Sequence, residues 1–228
     1  GGFLLLVVAL VLLFFWNIYS GSVSVEPKDV LRLLFQGPDE STQARILWDI
    51  RFPRVLAAML LGGALSVSGF LLQTFFANPI AGPFVLGISS GSKLLVALVM
   101  VGFLEWNITI NSGMLVAAAF AGALLSMLFV LLVARKMEQM AMLIVGGVMI
   151  GYICSAITDF VVTFASDADI VNLHNWSMGS FSGISWDNIR VMTPVVLVSL
   201  VCVFLLSKPI SAYQLGEGYA RSMGVNIT

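Results

Sequence analysis

The sequence predicts an all-α polytopic membrane protein, a helical bundle of about six transmembrane helices. Of its 228 residues 59% are hydrophobic and 10% charged, and the mean hydropathy is +1.02, outside the range of ordinary soluble domains. The apolar residues also fall in runs close to the roughly 20 residues that a helix, rising about 1.5 Å per residue, needs to cross a hydrocarbon core. These runs lack the alternation of barrel strands, and a bilayer core offers no water to open backbone groups, so the spans are helices. A formal net charge of −1 leaves no basic field for nucleic acid and no acidic tail for a cationic partner.

The first run, residues 1–15, has neither a basic start nor a small-residue cleavage site before Trp16. It reads as a first transmembrane helix without its natural N-terminus rather than as a signal peptide. Residues 17–50 form an external loop with a short helix: Ser24 is placed to cap it, Pro27 lies in its first turn and Gly37-Pro38 stops it, with Val30, Leu31 and Leu34 on one side. Further spans are expected at 55–76, 84–104, 114–134, 141–165 and 191–207, and residues 208–228 are too polar to re-enter the membrane. The whole of 1–228 is thus one transmembrane domain. Arg135, Lys136, Lys208 and Arg221 put their short loops on the cytoplasmic side. Glu105, Asp167, Asp169, Asp187 and Arg190 fall on the other side, and the charge-balanced segment 17–54 joins them by parity.

Small residues at four-residue spacing, Gly62 with Ser66, Ala64 with Ser68, and Gly147, Gly151 and Ser155, mark close helix contacts. Cys154 and Cys202 lie in apolar runs and read as packing residues. His174 has no ligand set around it, so neither a metal site nor acid–base chemistry is expected, and no catalytic constellation appears.

Four features carry functional content. Arg51 and Arg54 flank Phe52-Pro53 at the start of the second span, with Pro53 suited to a helix first turn. They read either as snorkelling anchors or as a docking point for an acidic partner. Asn78-Pro79-Ile80-Ala81-Gly82-Pro83 ends that span in a constrained turn, and the Gly- and Ser-rich 86–91 follows near membrane depth, where irregular backbone needs protein or a water-filled cavity beside it. Asp159, inside the fifth span, should face the bundle or a cavity, with Thr158 and Thr163 near it, as a pathway residue or as a structural hydrogen bond. Leu215 to Val225 reads as short cytoplasmic helical turns closed by Gly224, suited to a soluble partner.

In order, RFPR, ALSVSGFLLQ, ANPIAGPFVLGISSGS, GVMIGYICSAITD, NWSMGSFSGISW and LGEGYARSMGV resemble the FecCD-type permeases. These are the membrane subunits of binding-protein-dependent ABC importers for iron-siderophore complexes, haem and cobalamin. The resemblance implies a type II importer whose permease has ten transmembrane helices, so this chain would be an N-terminal fragment lacking about four. It implies a second permease subunit, as homo- or heterodimer, a cytoplasmic ABC ATPase and an extracytoplasmic substrate-binding protein, with surrounding membrane lipid. On that basis Arg51 and Arg54 dock the binding protein. Asn78, Pro79 and Ile80 form a cytoplasmic gate, and Gln139 and Met140 align with a second gate loop, although 137–142 lacks the expected hydroxyls. Leu215, Gly216, Glu217, Ala220, Arg221 and Gly224 match the segment that couples to the ATPase. The subunit is then no enzyme and holds no cofactor, ATP being bound by its partner, and an iron-siderophore is the leading cargo. The alternative is an ion-coupled carrier with Asp159 as the coupling site, driven by a gradient without an ATPase; an inert membrane scaffold would show no flux at all.

Overall fold

The computed structural model describes residues 1–21, 23, 25–37, 39–84, 86–104, 110–134 and 140–226. The described residues form helices and connecting turns. Among the described residues five helical stretches are long and apolar enough to cross a membrane: Gly2–Tyr19, Thr42–Phe75, Gly113–Val133, Met142–Val162 and Trp186–Leu205. The expected span at 84–104 is shorter, because Pro83 and Phe84, and again Leu86 and Gly87, lie in turns and the helix runs over Ile88–Leu104, 17 residues. The contacts group the chain into two compact units, residues 1–65 with 181–205, and residues 66–180 with 206–228.

The first unit contains α1 (Gly2–Tyr19), α2 (Pro27–Gln36), α3 (Thr42–Arg45), the start of α4 (Phe52–Phe75) and α9 (Trp186–Leu205). Its core joins Ile18, Val25, Val30, Leu33, Ala44, Leu47, Phe52 and Val55, with Phe14, Trp48 and Trp186 packed against them. The short external helix is present, but its N-cap is Glu26 rather than Ser24, which lies outside the described residues. Its buried side carries Val30 and Leu33 while Leu31 is exposed, because residues three apart share a helix face and adjacent ones do not. The side chain of Leu34 is not described. Gly37, at φ 86°, ends α2 as expected.

Span two does not start at Pro53. Ser41 caps a helix from Thr42, its Oγ accepting from Ala44 N at 3.1 Å. The same hydroxyl donates to Asp39 and holds that carboxyl below the usual carboxylate range. The helix runs on through a π-helical segment, Ile46–Arg51, into α4. Proline cannot donate a backbone hydrogen bond, and its ring crowds the carbonyl four residues back; a wider π turn ahead of it accommodates both problems. In this segment Phe52 N bonds to Leu47 O. Trp48 O is therefore passed over by Phe52 and has only Pro53 five residues on, so it takes Trp186 Nε1 at 2.7 Å instead. Trp48 stacks on Phe52, ring centroids 4.9 Å apart, and lies near-parallel to Trp186 at 6.4 Å, which seats the first turn of α9.

The second unit contains the rest of α4, α5 (Ile88–Leu104), α6 (Ser112–Ala134), α7 (Met140–Val162), α8 (Asp167–Met178), α10 (Ser207–Gln214) and α11 (Glu217–Ser222). Here α5 packs against both α6 and α7. At the first contact a Cβ on Gly91 would lie 2.8 Å from Gly122 O and overlap Ser126 Oγ, so the two backbones meet directly. At the second, Gly87 has φ +69°, and a Cβ there would lie 2.8 Å from both Gly147 O and Gly151 N. The Gly147/Gly151 pair thus receives the backbone just ahead of α5. The connection expected between the spans 141–165 and 191–207 holds a polar helix, α8; Ser166 caps it and Asp167 and Asp169 occupy its first turn, favourable positions for acids at a helix N-terminus. It is held by Leu173, buried among Val96, Ala97, Met100 and Ala118.

Candidate functional site

In the first unit the paired arginines have unlike surroundings. Arg51 is 8% exposed. Its guanidinium donates to Ile18 O at 2.6 Å, to Tyr19 O at 3.0 Å and to Val23 O. These are carbonyls at and just beyond the end of α1, where a helix leaves acceptors unpaired. A Cβ on Gly21 would lie 2.5 Å from Arg51 Nη2, so the absent side chain makes room for the guanidinium. Arg54 is half-buried: Nη2 donates to Ser182 O at 2.7 Å, while its Nε is enclosed without a hydrogen-bond partner among the described residues. Both line a cavity of about 450 Å³ with Asn17, Ser20, Gly21, Val23 and Ile50. Arg51 thus organises the loop, and Arg54 has donor capacity to spare. Sequence spacing treats the two as equivalent because Arg51's acceptors lie 28 to 33 residues upstream.

In the second unit α4 ends in a Schellman turn: Asn78 N bonds to Gln73 O at 3.1 Å and Ala77 N to Thr74 O at 3.2 Å. Ala77 takes the left-handed position, φ 47°, which glycine normally fills and which costs a residue with a Cβ about 1–2 kcal/mol. Asn78 then folds on itself, Oδ1 accepting from Ile80 N at 2.9 Å and its carbonyl from Ala81 N at 3.1 Å. Phe76, Ala81 and Leu86 anchor the turn in a core with Val130, Leu143 and Ile150. Between these anchors Pro79 is exposed and Ile80 stands 78% exposed at the tip. Gln139 lies outside the described residues, as do Arg135 and Lys136; Met140 opens α7, with its side chain not described.

The 215–224 segment follows α10. Leu215 is exposed, Gly216 turns the chain at φ 108°, and α11 closes in a second Schellman turn at Gly224, φ 79°. In that turn Val225 N bonds to Ala220 O and Gly224 N to Arg221 O, both at 3.0 Å. Ala220 is buried and Arg221 exposed; the side chain of Glu217 is not described. Ahead of it, Gln214 Nε2 donates to Thr74 Oγ1 at 3.1 Å, and the Tyr213 ring lies 12° from parallel to Phe75, centroids 6.5 Å apart. A cavity of about 630 Å³ opens there, lined by Gln73, Thr74, Asn78, Tyr213, Gln214 and Gly216 among others. The fold therefore brings the 78–80 turn and the 215–224 segment together, which spacing alone does not reveal across about 140 residues of chain.

Asp159 is exposed, and its neighbour Thr158 is the buried one, donating to Cys154 O at 2.8 Å. Adjacent helical residues point about 100° apart, so Asp159 lies on a different side of α7 from Thr158, while Thr163, expected near it, has its Oγ1 3.2 Å from Asp159 O. Asp159 belongs to an exposed stripe of α7, Val145, Met149, Tyr152, Ala156 and Asp159, with Val148, Ile153 and Phe160 exposed beside it. Its alternating steps of four and three place it on one side of α7, the spacing of a seam against another helix. Among the described residues no cluster of His, Cys, Asp and Glu could hold a metal ion.

The family model for the FecCD transport family matches residues 9–228. The vitamin B12 import system permease protein BtuC of Klebsiella pneumoniae is 38% identical over 181 residues, covering 78% of this chain and 53% of the relative. The protein of the same name from Salmonella paratyphi A is 36% identical over 183 residues, covering 78% and 54%. The chain thus spans about half the length of the curated relatives it matches. A solved structure described as an inward-facing conformation of a metal-chelate type ABC transporter superposes with a TM-score of 0.80 at 23% identity, covering 97% of this chain and 67% of that one. This likeness establishes the all-α fold; the apolar helices, the family match and the BtuC relatives make the chain a multi-pass protein of the bacterial inner membrane.

Proposed function

This chain belongs to the FecCD transport family, and on that footing we propose that it supplies the membrane permease of an ATP-driven importer fed by an external binding protein. The observation that carries the reading is the extent of the family match: residues 9–228 take in the arginine pair, the Asn-Pro turn and the coupling segment in one order. In this reading Arg54 presents the cation that captures an acidic side chain of the binding protein, and Arg51 holds the rim that presents it. The 78–80 turn, together with a second gate loop at Gln139 and Met140, closes the path on the cytoplasmic side. Leu215, Gly216, Glu217, Ala220, Arg221 and Gly224 form the seat for the ATPase, and the exposed stripe on α7 meets a second permease. ATP is hydrolysed by the separate ATPase subunit.

The cargo in this reading is a metal chelate, and the names of the relatives at 36–38% identity make a cobalt corrinoid the first candidate. The ferric siderophore expected from the sequence becomes the comparison. The test is uptake by proteoliposomes holding the complete importer, with labelled cyanocobalamin in one arm and a ferric hydroxamate in the other. Uptake should require enclosed ATP and the binding protein and should survive collapse of ion gradients. Gradient-driven uptake without the ATPase would replace this reading with the ion-coupled one.

A further inference from the structure

Resting on that reading, we propose that Thr74 and Gln214, backed by the Phe75–Tyr213 stack, are the positioning residues through which movement of the coupling segment reaches the gate turn. Thr74 lies in the last turn of α4, four residues before Asn78, and its carbonyl is one of the two acceptors of the Schellman turn that sets up Asn78. Gln214 ends α10, directly before the coupling segment. Their 3.1 Å hydrogen bond and the neighbouring ring stack therefore join the two elements at the point where each changes direction.

The contact runs through Tyr213 and Gln214, directly before α11; after α11, Val225 and Asn226 line an open cavity of about 380 Å³ with Leu71, Thr74, Phe75 and Tyr213. A displacement of α11 is thus delivered to the end of α4 through its leading flank, where the chain turns at the positive-φ Gly216. An effector shifts a conformational equilibrium only through contacts that distinguish the two states, so a force at 217–222 needs a linkage to 78–80, and this clasp supplies one. The clasp stays closed through the cycle, moving as a body.

The complete importer in proteoliposomes tests this, with cyanocobalamin as cargo, or a ferric hydroxamate where that is what the wild type imports. Thr74→Val and Gln214→Leu should each lower the ratio of chelate imported to ATP hydrolysed by roughly three- to tenfold, the range of a single hydrogen bond. The double variant should be no worse than either single, and Thr74→Ser should restore the ratio. In a Cys154→Ala, Cys202→Ala background, bridging Thr74→Cys to Gln214→Cys with a short bifunctional thiol reagent should leave transport intact. Unchanged ratios, multiplying losses in the double variant, or transport abolished by the bridge would each overturn the clasp. A wild-type importer that shows no ATP-coupled uptake would instead overturn the functional reading on which it rests.

Discussion

A single guanidinium organises the end of α1. Three carbonyls, of Ile18, Tyr19 and Val23, converge on Arg51, and Gly21 leaves it room. Hydrogen bonds from a charged donor are worth about 1.5–3 kcal/mol each, and buried acceptors left without a donor lose comparable amounts. Arg51→Met should therefore destabilise the assembled protein by about 2–3 kcal/mol, and Gly21→Ala by a similar amount because its Cβ displaces the guanidinium; thermal unfolding in detergent measures both. A pure docking role for Arg51 predicts no change in the melting temperature of the isolated permease. The cation pair was legible from RFPR. The difference between its members was not, because it depends on carbonyls supplied by distant residues.

At the scale of elements, composition and run length were enough to locate the apolar helices but not their ends, since membrane helices are selected for apolar content along their whole length. What escaped was decided by backbone and packing. Pro53 reads as a helix start but follows a π segment in a longer helix. The polar α8 is fixed by a serine cap and one buried leucine, a signal visible in Ser166-Asp167-Ala168-Asp169 yet easily taken for loop. The glycine pair 147/151 is legible as a contact stripe, though its partner, Gly87, expected inside the span 84–104, is turn backbone just ahead of α5. Gly87→Ala would force a Cβ into positive φ and against two backbone atoms of α7 at 2.8 Å. A cost of roughly 2–3 kcal/mol is expected, as for overpacking at a site with no room to relax. Detergent-melting curves read it, and an equal melting temperature would show that α5 and α7 can separate without penalty.

For the whole molecule, the ordered motifs carried the family but not its geometry, and the chain matches only about half of its curated relatives. Among the candidate residues the turn at 78–80 and the short helical turns at 215–224 were individually readable as local structure; their juxtaposition is a property of the folded unit. Two outcomes belong at this scale. Arg54→Glu in the complete importer should weaken capture of the binding protein, with the loss shrinking as salt rises, because exposed charge interactions are screened over roughly 10 Å at 0.1 M. Affinity that is unchanged by the reversal at low salt would remove Arg54 from the docking surface. Arg221→Glu should leave ATP hydrolysis running while uptake falls at least severalfold, measured as chelate imported per ATP; normal coupling would move the ATPase seat elsewhere.

The π segment also constrains which sequence changes this stretch can accept. A π turn holds one residue more than the α turn it replaces, so 46–51 behaves as a helix that has absorbed an insertion. Deleting one residue there would restore plain α register and bring the Pro53 ring against the carbonyl four residues back, while handing Trp48 O a different partner from the indole of Trp186. Loss of that extra residue and loss of the proline are therefore linked steps, and a lineage that sheds one is expected to shed the other.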